Sequence, residues 1–116
     1  MTNTEQKNAE TVIAFIEELR QRGELEHTDQ FFAPQIGEAF SDRQFAVDEI
    51  FAQGDKVIAR ILITGTHTGM FAGHAPTGQS AKITQFREFR LADGRIAEQR
   101  AWVDTGTLLP QIQARK

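Results

Sequence analysis

Apolar positions in the first part of the chain recur with helical spacing. Ala9, Val12, Ile13, Ile16 and Leu19 fall at i, i+3, i+4, i+7 and i+10, which predicts an amphipathic helix over 5–22. Glu5 suits the positive end of its dipole, Arg20 and Arg22 suit the negative end, and Gly23 supplies a stop. A short second helix is expected at 25–32, with Leu25, Phe31 and Phe32 apolar and Pro34 ending it. Beyond Pro34 the period drops to two. Phe45, Val47, Glu49 and Phe51 alternate with Ala46, Asp48, Ile50 and Ala52, and a Gly54-Asp55 turn leads into Val57–Ile63, a hairpin with a β-branched second strand. Glycines and Pro76 mark a loop at 69–78, a third strand is expected at 81–91, Asp93-Gly94 signals a tight hairpin, and a fourth strand follows at 95–104. The tail Leu108–Ile112 is apolar enough to dock but short for a helix. Helices followed by a meander of antiparallel strands predict an α+β fold class, with helices on one face of a curved sheet that forms a concave cavity.

Composition narrows the function classes. A chain of 116 residues with 40% hydrophobic and 25% charged residues is one globular domain, 1–116. Thirteen Lys and Arg against sixteen Asp and Glu give a net charge of −3, which argues against sequence-independent nucleic-acid binding. The absence of cysteine excludes disulfides, thiolate metal sites and cysteine nucleophiles. No apolar run approaches a membrane span and the start is polar, so no membrane partner and a cytoplasmic location are expected. His27, His67 and His74 lack zinc-type spacing, so no metal is expected, and phosphate-binding glycine loops and nucleophile elbows are missing.

Four polar positions carry candidate chemistry. Asp104 shares strand parity with Trp102, Glu98 and Arg100. On a concave, desolvated face it would be a competent base; otherwise it caps the Thr105-Gly106 turn. His67 shares parity with Ile61 and Ile63, so it is either a cavity donor to an oxyanion or a histidine bonded to loop backbone. Gln85 and Arg87 alternate with Ile83 and Phe89 on the same predicted inner face, where a polar ligand would satisfy them; otherwise the middle of a twisted strand is open to solvent, or Arg87 pairs with Glu98 or Glu88.

The ordered set Gly65-Thr66-His67-Thr68-Gly69, Pro76-Thr77-Gly78, Phe89-Arg90, Asp93-Gly94-Arg95-Ile96-Ala97-Glu98 and Asp104 resembles the SnoaL-like polyketide (ester) cyclase family. The turn Gln53–Val57 and the opening helix match in order, so the resemblance covers nearly all of 45–112 and, more weakly, 8–34. It implies a nuclear transport factor 2-like cone. The Pro34–Phe45 connection is shorter than the family's, so this version lacks the usual third helix and is open on one side or closed by a partner subunit.

The resemblance further implies ring closure by intramolecular aldol condensation without cofactor or metal, with Asp104 as the acid/base and His67 as the family's histidine. Gln85, Arg87, Trp102 and Phe89 are the expected substrate-binding residues, and the expected partners are a small molecule and a second copy of the chain in a homodimer. Two other readings stay open. One is an isomerase or dehydratase using the same residues, and the other is a non-catalytic small-molecule-binding or dimerisation module.

Overall fold

The computed structural model describes residues 2–25, 28 and 35–112, except the side chains of 105 and 106. Helix α1 spans Asn3–Arg22. Thr2 and Glu5 close its start in a reciprocal capping box, and Gly23 ends it in the left-handed region at φ 72°. Its buried stripe is Asn8, Ala9, Val12 and Ile16. Ile13 does not join it and is 46% exposed. The helix expected at 25–32 lies outside the described residues apart from Leu25 and Thr28.

The supposed connection before the sheet has structure of its own. A single-turn helix α2, Gln35–Ala39, buries Ile36 and Ala39 and runs straight into β1, Phe40–Gln53. Strands β2 (Lys56–His67), β3 (Ser80–Ala92) and β4 (Arg95–Val103) complete an antiparallel sheet in the order β1-β2-β3-β4. Asp93 and Gly94 both take positive φ, 52° and 75°, as the tight turn signal requires. Helix α3, Thr105–Ile112, then folds back on β3 and buries Leu108 and Ile112. The tail is therefore helical after all. Asp104 caps its start, and the Gln111 side chain clamps Lys82, accepting its N–H at 2.8 Å and donating to its carbonyl at 2.9 Å. That pair seals a stretch of β3 that extends beyond β4.

One face of the sheet carries the core. Val57, Ala59, Ile61 and Ile63 of β2 and Ile83, Phe89 and Leu91 of β3 are buried there with Val12 and Ile16 of α1. Simple alternation fails in β1. Register shifts between Ser41 and Gln44 and between Val47 and Glu49 exchange the faces, so Ile50 and Ala52 oppose Ala59 and Val57 while Phe51 is 53% exposed. Among the described residues no helix is long and apolar enough to cross a membrane.

Candidate functional site

His67 ends β2 at a crowded corner. Its ring is fully buried and stacks on Phe40 at 5.3 Å. The corner needs the two glycines around it. A Cβ on Gly69 would stand 2.6 Å from the Glu38 carbonyl oxygen, and one on Gly65 would stand 3.1 Å from Phe40 Cβ. The backbone N–H groups of Thr68 and Gly69 both donate to the Ala39 carbonyl at 2.9 Å. The Gly-Thr-His-Thr-Gly segment is thus the seat on which the α2–β1 junction rests.

The chemistry of the His67 ring follows from its neighbours. The Thr77 backbone N–H donates to Nδ1 at 3.3 Å, with the Thr77 hydroxyl 3.1 Å from the same nitrogen. A backbone N–H can only donate, so Nδ1 is an acceptor and the neutral ring carries its proton on Nε2. Nε2 is buried without a partner of hydrogen-bond geometry. Burial pushes His67 below the ordinary imidazole value; the Gly69 backbone opposes that shift and His74 adds to it. Thr77, which sequence reasoning passed over, is the residue that fixes the tautomer. Its place in Pro76-Thr77-Gly78 was the available signal.

A second polar group lies on the inner face, among apolar side chains. Gln85 is fully buried and Arg87 nearly so. The Gln85 amide donates to the Leu25 carbonyl at 2.7 Å; Arg87 Nε donates to Gln85 Oε1 at 3.0 Å, and its guanidinium also reaches the Leu25 carbonyl at 2.9 Å. The inward parity expected for both is what the strand shows. Phe89, two residues on, is buried in the core and meets the Phe15 ring edge to face at 5.8 Å.

Asp104 lies one residue past the strand partner of Gln85, opposite Thr84. Val103 pairs with Gln85, and the next N–H, that of Asp104, donates to the Thr84 carbonyl at 2.9 Å. Its carboxylate accepts the Thr107 N–H at 3.1 Å on Oδ1 and the Thr107 hydroxyl at 2.7 Å on Oδ2. Asp104 is half-buried and forms the N-cap of α3.

Two expected juxtapositions come out differently. Trp102 points to the opposite, outer face, 40% exposed and stacked on Phe86 at 6.0 Å, because Ala101 and Val103 take the inner positions of β4. A molecule held against Gln85 and Arg87 would not touch it. His67 and Asp104 are also apart along the sheet. Thr84 pairs with Leu62, five residues from His67, so the two side chains are separated by about 16 Å along the strands at the usual rise. They do not face each other across a shared hydrogen-bonding position.

Among the clefts formed by the described residues, one of about 390 Å³ lies near the His67 corner, lined by Thr64, Thr66, Ser80, Lys82 and Gln111 among others. A groove of about 450 Å³ runs between α1 and β4, lined by Thr11, Ala14, Phe15, Glu18, Ile96 and Gln99 with the adjoining turn. Neither is lined by His67, Gln85, Arg87 or Asp104. No three His, Asp or Glu side chains among the described residues are grouped to hold a metal ion.

The sequence profile of the SnoaL-like polyketide cyclases matches residues 30–112, well over half of the chain. The chain belongs to the SnoaL-like polyketide cyclase family. Solved structures agree on the fold. A Jannaschia sp. CCS1 protein assigned to the SnoaL-like polyketide cyclases superposes with a TM-score of 0.70 at 24% identity, covering 100% of this chain and 98% of that one. AclR of Streptomyces galilaeus, assigned as a hydroxylase, superposes with a TM-score of 0.69 at 24% identity, covering 93% of this chain and 96% of its own. IdmH of Streptomyces antibioticus, assigned as a polyketide cyclase, is 34% identical with a TM-score of 0.55, over 68% of this chain and 57% of its own. No match to this chain was found among curated proteins. The SnoaL-like fold thus accommodates the α1 helix on a four-stranded sheet described above.

Proposed function

We propose that this SnoaL-like protein closes a ring in a small polyketide-like carbonyl compound by intramolecular aldol condensation, using its own side chains as acid and base. The observation that carries the reading is the polar group on an otherwise apolar wall. Arg87 and Gln85 are buried on the inner face of β3, and Asp104 follows directly on Gln85's partner in β4.

In this mechanism Asp104 takes a proton from a carbon flanked by two carbonyls. The electron pair moves onto oxygen as an enolate, and the Arg87 guanidinium and Gln85 amide stabilise that charge. Donors of this kind in a dry site contribute about 3 kcal/mol each to the barrier. The enolate carbon then attacks a second carbonyl of the same molecule, forming the carbon–carbon bond. The resulting alkoxide recovers the proton from Asp104, so no co-reactant is consumed. Thr107 occupies two of the four lone-pair positions of the carboxylate and orients the rest. We assign His67, five strand steps away, to holding the 68–79 loop rather than to the proton transfer. The partners of this reading are the small-molecule substrate and a second copy of the chain.

A non-catalytic ligand-binding module is the second reading, and the capping role of Asp104 favours it. Incubation of the protein with linear di- and triketone esters, followed by product analysis, separates the two. A cyclic aldol product that disappears in Asp104→Asn supports the enzyme. Ligand retention with no turnover supports the module, and a shifted double bond or loss of water without ring closure supports an isomerase or dehydratase.

A further inference from the structure

The order β1-β2-β3-β4 leaves β4 at the margin of the sheet. From Arg95 to Trp102 its outer backbone groups meet no other strand among the described residues. Such an edge is a template for another strand. We propose that a second copy of this chain docks there, β4 against β4 and antiparallel, about a twofold axis passing through Gln99.

The charge pattern selects this register. Within one chain Glu88 pairs with Arg100, and Arg90 pairs with Glu98 at 3.2 Å, so opposite charges alternate across β3 and β4 on the outer face. With the axis at Gln99, Glu98 lies opposite the second copy's Arg100, and Arg100 opposite its Glu98. The row then reads Glu88, Arg100, the second copy's Glu98 and its Arg90, alternating in sign without interruption. Side chains keep their faces only when the register moves by an even sum of positions. An axis at Glu98 would set that carboxylate against itself, and an axis at Arg100 would do the same for the guanidinium; like charges directly opposite are destabilising. Ala97 and Ala101 lie opposite each other in the favoured register and leave room for close approach.

The surroundings agree with a second copy as occupant. On the outer side, Lys56, Glu88, Arg90, Glu98, Gln99 and Arg100 line a cleft of about 180 Å³ at this edge. On the inner side, the α1–β4 groove with Phe15 and Ile96 opens along the same strand. A second copy would cover both. The register shift between Arg90 and Leu91, which leaves Ala97 unpaired within the chain, ends the regular stretch on one side.

This names the surface for the second copy invoked under the proposed function, and its test reads assembly rather than turnover, so the two fail separately. Sedimentation velocity on the full chain is expected to give twice the 13.0 kDa chain mass. Glu98→Arg alone and Arg100→Glu alone are each expected to sediment at the single-chain mass, since each sets like charges against one another twice. An equimolar mixture of the two variants is expected to return to the doubled mass, because the new cation at 98 then faces the new carboxylate at 100. That recovery also shows that both variants are folded. A wild-type monomer overturns the proposal, as does a dimer that survives both single changes or a mixture that stays monomeric. A dimer lost instead with Phe51→Ser, on the exposed outer face, overturns it in favour of face-to-face assembly.

Discussion

Thr107 holds Asp104 with both of its donors, the backbone N–H on one carboxylate oxygen and the hydroxyl on the other. The same carboxylate therefore starts a helix one residue beyond Val103, the strand partner of the buried Gln85. The structural role and the proposed chemical role fall on one residue, and substitutions separate them.

Asparagine caps a helix about as well as aspartate, but it is not a base. Asp104→Asn is expected to keep the thermal stability of the wild type and to lose turnover by at least a hundredfold. Asp104→Ala is expected to lose the cap as well, at about 1 kcal/mol. Urea titrations of both variants beside product assays check this. Unchanged turnover in Asp104→Asn would remove the aspartate from the mechanism.

His67 predicts a pH dependence of stability. Its folded value is lowered, chiefly by burial, so the unfolded chain binds the proton more readily. The stability contribution of neutral His67 is present above the unfolded value of about 6.5 and is lost as pH falls from there through the lowered folded value. A charged ring would also turn Nδ1 into a donor facing the Thr77 N–H donor. Glu5, Glu17 and Glu98 are all shifted downward from 4.5, so their contribution is lost at still lower pH. Melting temperatures recorded between neutrality and mild acid should fall in the wild type and fall less steeply in His67→Gln. Equal slopes would place the acid sensitivity elsewhere.

Gly69→Ala should be among the costly single substitutions of this corner. The added methyl meets the Glu38 carbonyl oxygen, a backbone atom that cannot step aside. Forced overpacking of this kind costs about 1–3 kcal/mol. Gly73→Ala meets open space, and its cost comes from the positive φ of 82° alone, about 1 kcal/mol. Chemical denaturation should rank Gly69→Ala as the more damaging of the two.

Gln111 does the work of a missing strand. Its side-chain amide pairs with both backbone groups of Lys82, where β3 runs on beyond β4. Gln111→Ala should destabilise the protein by about 1–2 kcal/mol through two lost hydrogen bonds. Amide exchange at Lys82 should accelerate more than exchange at Ile83. Protection at Lys82 that is unchanged in the variant would show that α3 does not seal this edge.

Much of the architecture was legible in the sequence because its causes are local. The Gly23 stop of α1, the Gly54-Asp55 and Asp93-Gly94 turns and the inward parity of Gln85 and Arg87 all depend on neighbours a few positions away. The candidate site was legible residue by residue but not as an arrangement. Parity placed Asp104 and Trp102 on one face, yet no strand pattern announces that this face of β4 is the outer one, or that Asp104 turns into a helix cap. Nor does it reveal that Thr77, ten residues from His67, sets the tautomer of that ring.

By itself, the sequence determined the α+β class, the order of the sheet strands and the inward parity of Gln85 and Arg87, since backbone preferences and hydrophobic periods act over short distances. Only the tertiary structure decided the two register shifts in β1, the exposure of Phe51 and Trp102, the helical α3 and the distance along the strands between His67 and Asp104. Those features come from pairing between segments remote in the chain, where a single residue of slip exchanges the two faces of a strand.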